Sequence, residues 1–252
     1  MLNKKVALWY AHGYASYSLR LAEWCSNIIF TSTKSGFRLS SKKIKIVGQG
    51  IDTHFFKPNP TIYENHSCLN IITVGRISPV KNYEPIIAAL AEVVSRGVDA
   101  HLYIIGDAQI DSQKTYLTQL QKLVLDSALL DRVYFMGAVP QHVLPEKLSQ
   151  ASLFINASKT GSLDKSGLEA MAMGLPIFTN NEAYREILGK DAERYMFEVG
   201  DASALALKIE NFSTLSLEER THIGNQMRDI VLQSYDISGL IERILRAYDS
   251  NI

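Results

Sequence analysis

The chain has 252 residues, of which 46% are apolar and 21% are charged, enough for one sizeable core and for one or two domains. Lys and Arg number 26, as do Asp and Glu, so the overall charge favours neither nucleic acid nor anionic lipid, and any anion site must be built locally. The two cysteines, Cys25 and Cys68, have no metal-ligand spacing, and neither a signal peptide nor an apolar run of about 18 residues is visible, so we expect a cytoplasmic protein.

The first 57 residues predict a small piece that looks too short to be a domain. A strand over residues 5–10 is followed by a helix around residues 19–26 and by two strands at residues 28–30 and 43–47. Its uncovered strands are expected to expose an edge and an apolar face. Residues 58–67 are rich in Pro and Asn, which is typical of a linker.

Residues 68–235 alternate short apolar runs with segments of helical period, the pattern of parallel strands joined by crossover helices. Because the runs are apolar throughout, we predict an α/β fold with a doubly wound, Rossmann-like parallel sheet, whose ligands lie beyond the carboxyl ends of its strands. The predicted helices include residues 86–94 and 116–124. The five predicted strands are residues 69–74, 101–105, 133–136, 153–156 and 176–178.

Residues 236–252 carry a terminal amphipathic helix. Its apolar stripe includes Leu240, Ile244 and Tyr248, and such a stripe needs a surface to cover. We expect this helix to pack back on the N-terminal piece.

A glycine turn with two cations directly follows the first strand of the predicted sheet. Arg76 and Lys81 stand five residues apart behind Gly75. Both charges can converge on one anion, and fixed cations stabilise the charge that develops when a nucleoside diphosphate leaves a sugar. The alternative is a solvated loop with two unrelated charges. A nicotinamide or flavin site is disfavoured, because GxGxxG is absent from the turn.

A second polar loop follows the fourth strand and leads into a helix. The backbone N–H groups of Ser166, Gly167 and Leu168 at the helix start can hold a phosphate or a sugar hydroxyl. Glu169, one turn into the helix, can accept two hydrogen bonds from a ribose diol. The alternative is that Glu169 only complements the helix dipole.

Three ordered motifs resemble the donor domain of retaining GT-B glycosyltransferases of family 4, the glycosyl transferases group 1. They are the Gly-Arg-x-x-x-x-Lys turn at residues 75–81, the Gly-Ala-Val-Pro turn at residues 137–140, and the Leu-Glu-Ala-Met-Ala-x-Gly-x-Pro segment at residues 168–176. Upstream, residues 47–52 resemble the segment that joins the two domains of these enzymes.

The resemblance implies a hexosyltransferase that moves a sugar from a nucleotide-diphosphate sugar to an acceptor hydroxyl with retention, in bacterial polysaccharide or glycoconjugate synthesis. It implies that Arg76 and Lys81 hold the donor diphosphate, that Glu169 holds the ribose, and that Gly137 and Val139 lie against the base. No cofactor or metal is expected, since no Asp-x-Asp tripeptide occurs.

The chain departs from the family at one position of the donor loop. The family usually has a Glu eight residues before the ribose Glu, and here that residue is Gly161. The group that contacts the transferred sugar is therefore open. Ser162 belongs to the replacement segment, Asp164 can accept from a sugar hydroxyl, and Lys165 can add a third cation. Asp164 and Lys165 are alternatively a plain surface ion pair.

His12 ends the first predicted strand. In the family, a histidine at this position faces the reacting sugar, and a cleft histidine can hydrogen-bond a sugar or a phosphate. We therefore predict His12, Arg76 and Lys81 as the catalytic groups. The alternative is that His12 is a strand-end histidine without a role.

Residues 1–57 resemble only the end of a Rossmann-like acceptor domain, so the acceptor pocket is expected to be incomplete. The chain is then a fragment of a longer enzyme, a subunit whose partner chain supplies the acceptor domain, or a donor-binding remnant without turnover. Alone it is expected to show no transfer above background. A GT-B nucleotide-sugar epimerase is a further alternative. The expected acceptor is a glycan, a lipid or a small molecule, nucleic acid is not expected, and any membrane association is peripheral, at the inner face.

Overall fold

The structure is a computed structural model that describes residues 4–12, 14–58, 68–159 and 161–249. Most of the predicted linker, residues 59–67, lies outside these ranges. Near the N-terminus, β1 (Ala7–Trp9), α1 (Tyr17–Cys25), β2 (Ile28–Thr31) and β3 (Ile44–Ile46) follow in chain order. The three strands form a parallel sheet in the order β1-β2-β3.

The second sheet begins with β4 (Leu69–Val74), α2 (Glu84–Ser95), β5 (Ala100–Ile105), α3 (Asp111–Asp126) and β6 (Val133–Gly137). It continues with α4 (Leu144–Ser149), β7 (Leu153–Asn156), α5 (Lys165–Ala172) and β8 (Ile177–Thr179). The chain ends with the helices α6 (Arg185–Leu188), α7 (Ala192–Tyr195), α8 (Ala202–Ser213), α9 (Leu217–Ser234) and α10 (Ile237–Asp249).

The five strands of the second sheet are all parallel and have the order β6-β5-β4-β7-β8. This confirms the predicted α/β fold with a doubly wound sheet. Strand order reverses between β4 and β7, so the loops that follow these two strands diverge to opposite faces and leave a crevice at the carboxyl edge. The predicted cation turn lies in the loop after β4, and the predicted helix-start motif lies in the loop after β7.

The predicted elements agree with the structure to within a few residues. The N-terminal strand is shorter than predicted, since only Ala7–Trp9 pairs with β2 and the side chains of Val6 and Trp9 are exposed. The last strand begins at Ile177 rather than Pro176, because proline has no N–H for the ladder. Helix α2 begins at Glu84, two residues early, because Pro85 fits the first turn of a helix. Among the helices of the described residues, none is long and apolar enough to cross a membrane.

Two helices cover the two faces of the N-terminal sheet. On one face, Leu19 of α1 packs with Ile29 and Phe37. On the other face, Leu240 of α10 packs with Ile28 and Phe30 of β2. The N-terminal layer is therefore built from both ends of the chain.

The chain passes between the two sheets twice, and the two passages lie side by side. The Ile51 N–H donates to the Tyr235 carbonyl at 2.8 Å, and the Ile237 N–H donates to the Ile51 carbonyl at 2.9 Å. The Thr53 hydroxyl donates to Asp236 Oδ2 at 2.7 Å, which is the main cause that lowers the pKa of that carboxyl. These bonds form a two-stranded connection between the sheets.

Candidate functional site

The turn after β4 is shaped by close backbone contacts. Gly75 accepts a hydrogen bond from the Tyr83 hydroxyl at 2.8 Å, and its N–H donates to the Ile105 carbonyl. A Cβ on Gly75 would lie 2.9 Å from Lys81 Cε, so the missing side chain leaves room for the Lys81 stem across the turn. A Cβ on Gly106, the residue after β5, would lie only 1.8 Å from the Gly75 carbonyl oxygen.

The two cations of this turn differ in their contacts: Lys81 is ion-paired and the Arg76 side chain is not. Lys81 Nζ lies 2.8 Å from Asp164 Oδ1, and only 17% and 14% of these two side chains are exposed. Asp164 Oδ2 also accepts from Asn156 Nδ2 at 3.0 Å. The Arg76 side chain is exposed and makes no ion pair or hydrogen bond within the described part of the chain. Arg76 is therefore the cation of this turn that is free to meet an anion.

The ion pair between Lys81 and Asp164 contradicts the alternative in which Asp164 pairs with Lys165. Asp164 does not pair with Lys165, which is exposed, and its two carboxylate oxygens already have partners from β7 and from the first turn. Lys81 itself is a paired cation. An ammonium has three donors, so Lys81 can keep Asp164 and still donate to a further oxygen.

The start of α5 lies beside this pair. Asp164 occupies the N-cap position, but its side chain makes no cap bond to the helix. Its carbonyl accepts from the Tyr184 hydroxyl at 2.6 Å. A Cβ on Gly167 would lie 2.1 Å from that hydroxyl, so this glycine is required for packing against Tyr184. Ser166 is half-buried, and Leu168 is buried in the core.

Glu169 opens onto a cavity of about 590 Å³ between the second sheet and the connection. Burial raises the pKa of the Glu169 carboxyl, and the nearby Lys165 opposes this shift. The cavity is lined by Glu169, Lys165, Gln141, His142, Gly50, Ile51, Asp52, Phe55, Phe56 and Ile237.

The turn after β6 leads directly to this cavity. Gly137 has a left-handed backbone, with φ at 67°, and its carbonyl accepts from the Gly106 N–H at 2.9 Å. Val139 is half-buried and packs against the core. The next residues, Gln141 and His142, line the cavity, and sequence reasoning missed them. Their only sequence signal was their place directly behind the glycine turn.

Two polar groups of the N-terminal layer bear on the predicted site. His12 is exposed, with its ring edge-on to Tyr10 at 5.7 Å, and it is not among the residues that line the cavity. Arg38 was not predicted from sequence, yet its Nη2 lies 3.7 Å from where a Cβ on Gly161 would be. The position where the family usually has a Glu is thus next to a cation. Ser162 is half-buried, and its carbonyl accepts from Asn181 Nδ2 at 2.8 Å.

Three possible metal ligands meet at the opposite, amino-terminal edge of the second sheet. The ligand atoms of Cys68, Asp99 and His101 lie within 4.8 Å of one another. Spacing along the chain did not reveal this group, because adjacent strands bring it together. Arg132 forms an ion pair with Asp99, and its Nη1 lies 3.4 Å from His101 Nε2. The Asp99 carboxylate is therefore already paired with a guanidinium.

Comparison with known proteins gives the family context. A family model described as "Glycosyl transferases group 1" matches residues 64–229. A putative colanic acid biosynthesis glycosyltransferase, WcaL of Escherichia coli, is 27% identical over 202 residues, which are 77% of this chain and 48% of that protein. Mannosylfructose-phosphate synthase of Agrobacterium fabrum is 32% identical over 108 residues, which are 42% of this chain and 24% of that protein. The chain spans about half or less of the length of these two relatives.

Solved structures share the fold. HepE of Anabaena, in complex with UDP and glucose, superposes with a TM-score of 0.85 at 17% identity, over 98% of this chain and 72% of that chain. A TarM mutant of S. aureus, in complex with fondaparinux, α-GlcNAc-glycerol and UDP, gives a TM-score of 0.82 at 14% identity, over 98% of this chain and 51% of that chain. The fold is therefore GT-B.

Proposed function

We propose a function from one premise: the chain belongs to the glycosyl transferases group 1 family. On this premise, residues 68–235 bind a nucleotide-diphosphate sugar whose sugar passes to an acceptor hydroxyl with retention, as in a family 4 hexosyltransferase of bacterial polysaccharide or glycoconjugate synthesis. The observation that carries the proposal is that the loops after β4 and β7, which meet at the point where the strand order reverses, carry a free Arg76 and a half-buried Glu169 that lines a cavity. A cytoplasmic place of action belongs to the same proposal.

The diphosphate belongs at the crevice between the loops after β4 and β7. Arg76 is free to donate two parallel hydrogen bonds to phosphate oxygens, and Lys81 is held in place by Asp164 while retaining spare donors. The start of α5 adds backbone N–H groups and partial positive charge. As the bond between sugar and phosphate breaks, these fixed groups stabilise the charge on the leaving group. The proposal includes no metal and no cofactor, because these groups carry the positive charge that faces the diphosphate.

The nucleoside belongs in the cavity of about 590 Å³. Its ribose is placed against Glu169, whose ionised carboxylate accepts from both hydroxyls of the diol. Its base is placed against the turn with Gly137 and Val139, next to His142. His12 and Arg38 belong to the other wall, where the transferred sugar meets the acceptor. Support for a nucleotide donor comes from the HepE and TarM structures, which contain UDP.

We expect the chain to bind nucleoside diphosphates with a Kd in the millimolar to micromolar range, mainly through phosphate contacts. Titration calorimetry with uridine, guanosine and adenosine diphosphates measures this directly. The matched nucleoside monophosphates are the control, since they keep the base and ribose but lose one phosphate. If none of the diphosphates binds the folded chain, the proposed function is wrong.

Affinity should depend on pH through Glu169. Only the ionised carboxylate accepts both diol hydrogen bonds, and burial raises the pKa of this group. Affinity is therefore highest above the raised pKa and falls as the pH drops through it. Glu169→Gln should weaken binding about tenfold, the scale of one hydrogen bond to a charged group, and should remove this part of the pH dependence.

The 2′-deoxy analogue of the tightest diphosphate isolates the ribose contact. It should bind the original chain about tenfold more weakly than the ribonucleotide does. The difference should shrink in Glu169→Gln. Equal deoxy penalties in both proteins would place the ribose away from Glu169 and leave this carboxylate as a helix-dipole partner.

A further inference from the structure

The segment between β2 and β3 places a cation opposite the loop after β7. The Arg38 side chain is exposed, and its Nη2 lies 3.7 Å from where a Cβ on Gly161 would be. Within the described residues, the Arg38 guanidinium makes no ion pair and no hydrogen bond. This cation of the N-terminal layer is therefore free to meet an anion.

The loop after β7 is tied to the turn that carries the predicted diphosphate cations. The Lys159 N–H donates to the Val80 carbonyl at 2.9 Å. Further along the loop, Asp164 Oδ1 lies 2.8 Å from Lys81 Nζ. Gly161 lies between these two attachments along the chain. The free guanidinium therefore approaches this loop next to the proposed diphosphate site, where the sugar of a bound donor belongs.

Gly161 leaves the space in front of Arg38 open. It has a left-handed backbone, with φ at 64°, a conformation that favours glycine. Among the described atoms outside its chain neighbours, an added Cβ would meet only Arg38 Nη2 within 4 Å. A glutamate here, the residue that the family usually has, could reach the guanidinium and neutralise it. With glycine, both the charge and the space remain available to a ligand.

The two segments that meet at this point are rich in cations. Residues 32–41 contain Lys34 and Arg38 and no acid, and residues 157–165 contain Lys159 and Lys165 and one acid. Both oxygens of that acid, Asp164, already have partners. A guanidinium offers hydrogen-bond donors only, so it suits a group that accepts hydrogen bonds and carries negative charge.

We propose that the transferred sugar carries a carboxylate and that Arg38 binds it, so that the donor is a nucleotide-activated uronic acid. This inference rests on the proposed function and adds the class of sugar to it. The planar guanidinium can donate two parallel hydrogen bonds to a carboxylate, which a neutral hydroxymethyl group cannot accept. The diphosphate has its own cations in Arg76 and Lys81, which leaves Arg38 for the sugar.

The experiment compares matched sugar nucleotides by titration calorimetry on the 252-residue chain. UDP-glucose is paired with UDP-glucuronic acid, UDP-galactose with UDP-galacturonic acid, and GDP-mannose with GDP-mannuronic acid. Within a pair, only a hydroxymethyl group is exchanged for a carboxylate. In a pair with the preferred base, the uronic acid donor should bind at least about fivefold more tightly, the scale of a charge-assisted hydrogen bond that solvent partly screens. This preference should weaken as salt rises, because Arg38 is exposed.

Arg38→Gln should abolish the preference within each pair, because the glutamine amide has no charge. Its affinity for UDP and GDP, which lack the transferred sugar, should equal that of the original chain. The matched control is Lys34→Gln, which removes another exposed cation of the same segment and should retain the preference. Circular dichroism of each variant verifies the fold.

A second pair of variants tests the open space at Gly161. Gly161→Glu places a carboxylate in front of Arg38, so the neutral donor of each pair should then bind at least as tightly as the uronic acid donor. Gly161→Gln has the same size and the same left-handed strain without the charge. It should retain part of the preference for the uronic acid donor.

The results separate this inference from the proposed function. Binding of UDP or GDP without preference for any uronic acid donor, or a preference that persists in Arg38→Gln, overturns the inference alone. A loss of affinity in Arg38→Gln that is as large for the free diphosphate as for the uronic acid donor also overturns it, since the guanidinium then binds phosphate. Absence of binding by every nucleotide overturns the proposed function, and the inference with it.

Discussion

Replacing Gly106 by alanine is expected to lower the free energy of unfolding by more than about 3 kcal/mol, the range of backbone strain combined with a buried clash. A Cβ at this position would lie 1.8 Å from the Gly75 carbonyl oxygen, and Gly106 has a φ of 154°, which side chains rarely adopt. The obstructing atom is backbone, so relief requires movement of the turn that precedes Arg76. Urea unfolding followed by circular dichroism measures the loss.

Gly97→Ala is the matched control for this variant. Gly97 also has a positive φ, 87°, but an added Cβ would meet nothing within 4 Å. It should cost only the left-handed strain of a side chain, about 1–2 kcal/mol. Equal losses in the two variants would show that the close approach of Gly106 to Gly75 does not hold the turn.

Arg76→Ala is expected to weaken nucleoside diphosphate binding by at least tenfold. In a preparation that transfers sugar, it should lower turnover by on the order of 100-fold, the usual loss when one preorganised charge-stabilising donor is removed. The reason is that Arg76 is the unpaired cation of the turn, whereas Lys81 is already bound to Asp164. Calorimetry on the folded variant gives the first number and a labelled-donor assay gives the second.

Arg246→Ala removes another exposed arginine, which pairs with Glu242 on α10, and should leave nucleotide affinity unchanged. Arg76→Lys should retain part of the affinity, because a lysine keeps the charge but loses the two parallel donors. If Arg76→Ala binds nucleotide as well as the original chain, Arg76 belongs to a solvated loop.

The sheet of the second domain could be predicted from sequence because its signal is local. Runs such as Leu153–Asn156 are apolar throughout, and only a strand covered on both faces tolerates this. The place of Arg76 and Glu169 at the carboxyl edge follows from the same alternation of strands and helices. Both motifs were therefore assigned to one crevice before any contact was known.

Contacts between distant residues could not be predicted in this way. Lys81 and Asp164 are 83 positions apart, and their ion pair depends on how β4 and β7 lie together. Gly167 was predicted to offer its N–H to a ligand, and the packing reason for a glycine there, the Tyr184 hydroxyl from beyond β8, could not be predicted from the sequence. Residues 1–47 contain eight Lys or Arg and one acid, but a net charge for the whole chain averages this asymmetry away.

The shared construction of the N-terminal layer has a consequence for protein synthesis. Ile28 and Phe30 leave the ribosome well before Leu240, which lies on the helix that covers them. At about 5–20 residues per second, roughly 200 residues must be made in between, which takes on the order of 10–40 s. During that time the first strands carry an open apolar face, while β4 to β8 can already fold. Residues 68–235 can therefore fold before the N-terminal layer is closed, and nascent-chain binding by chaperones is expected to concentrate on the strands β1 to β3.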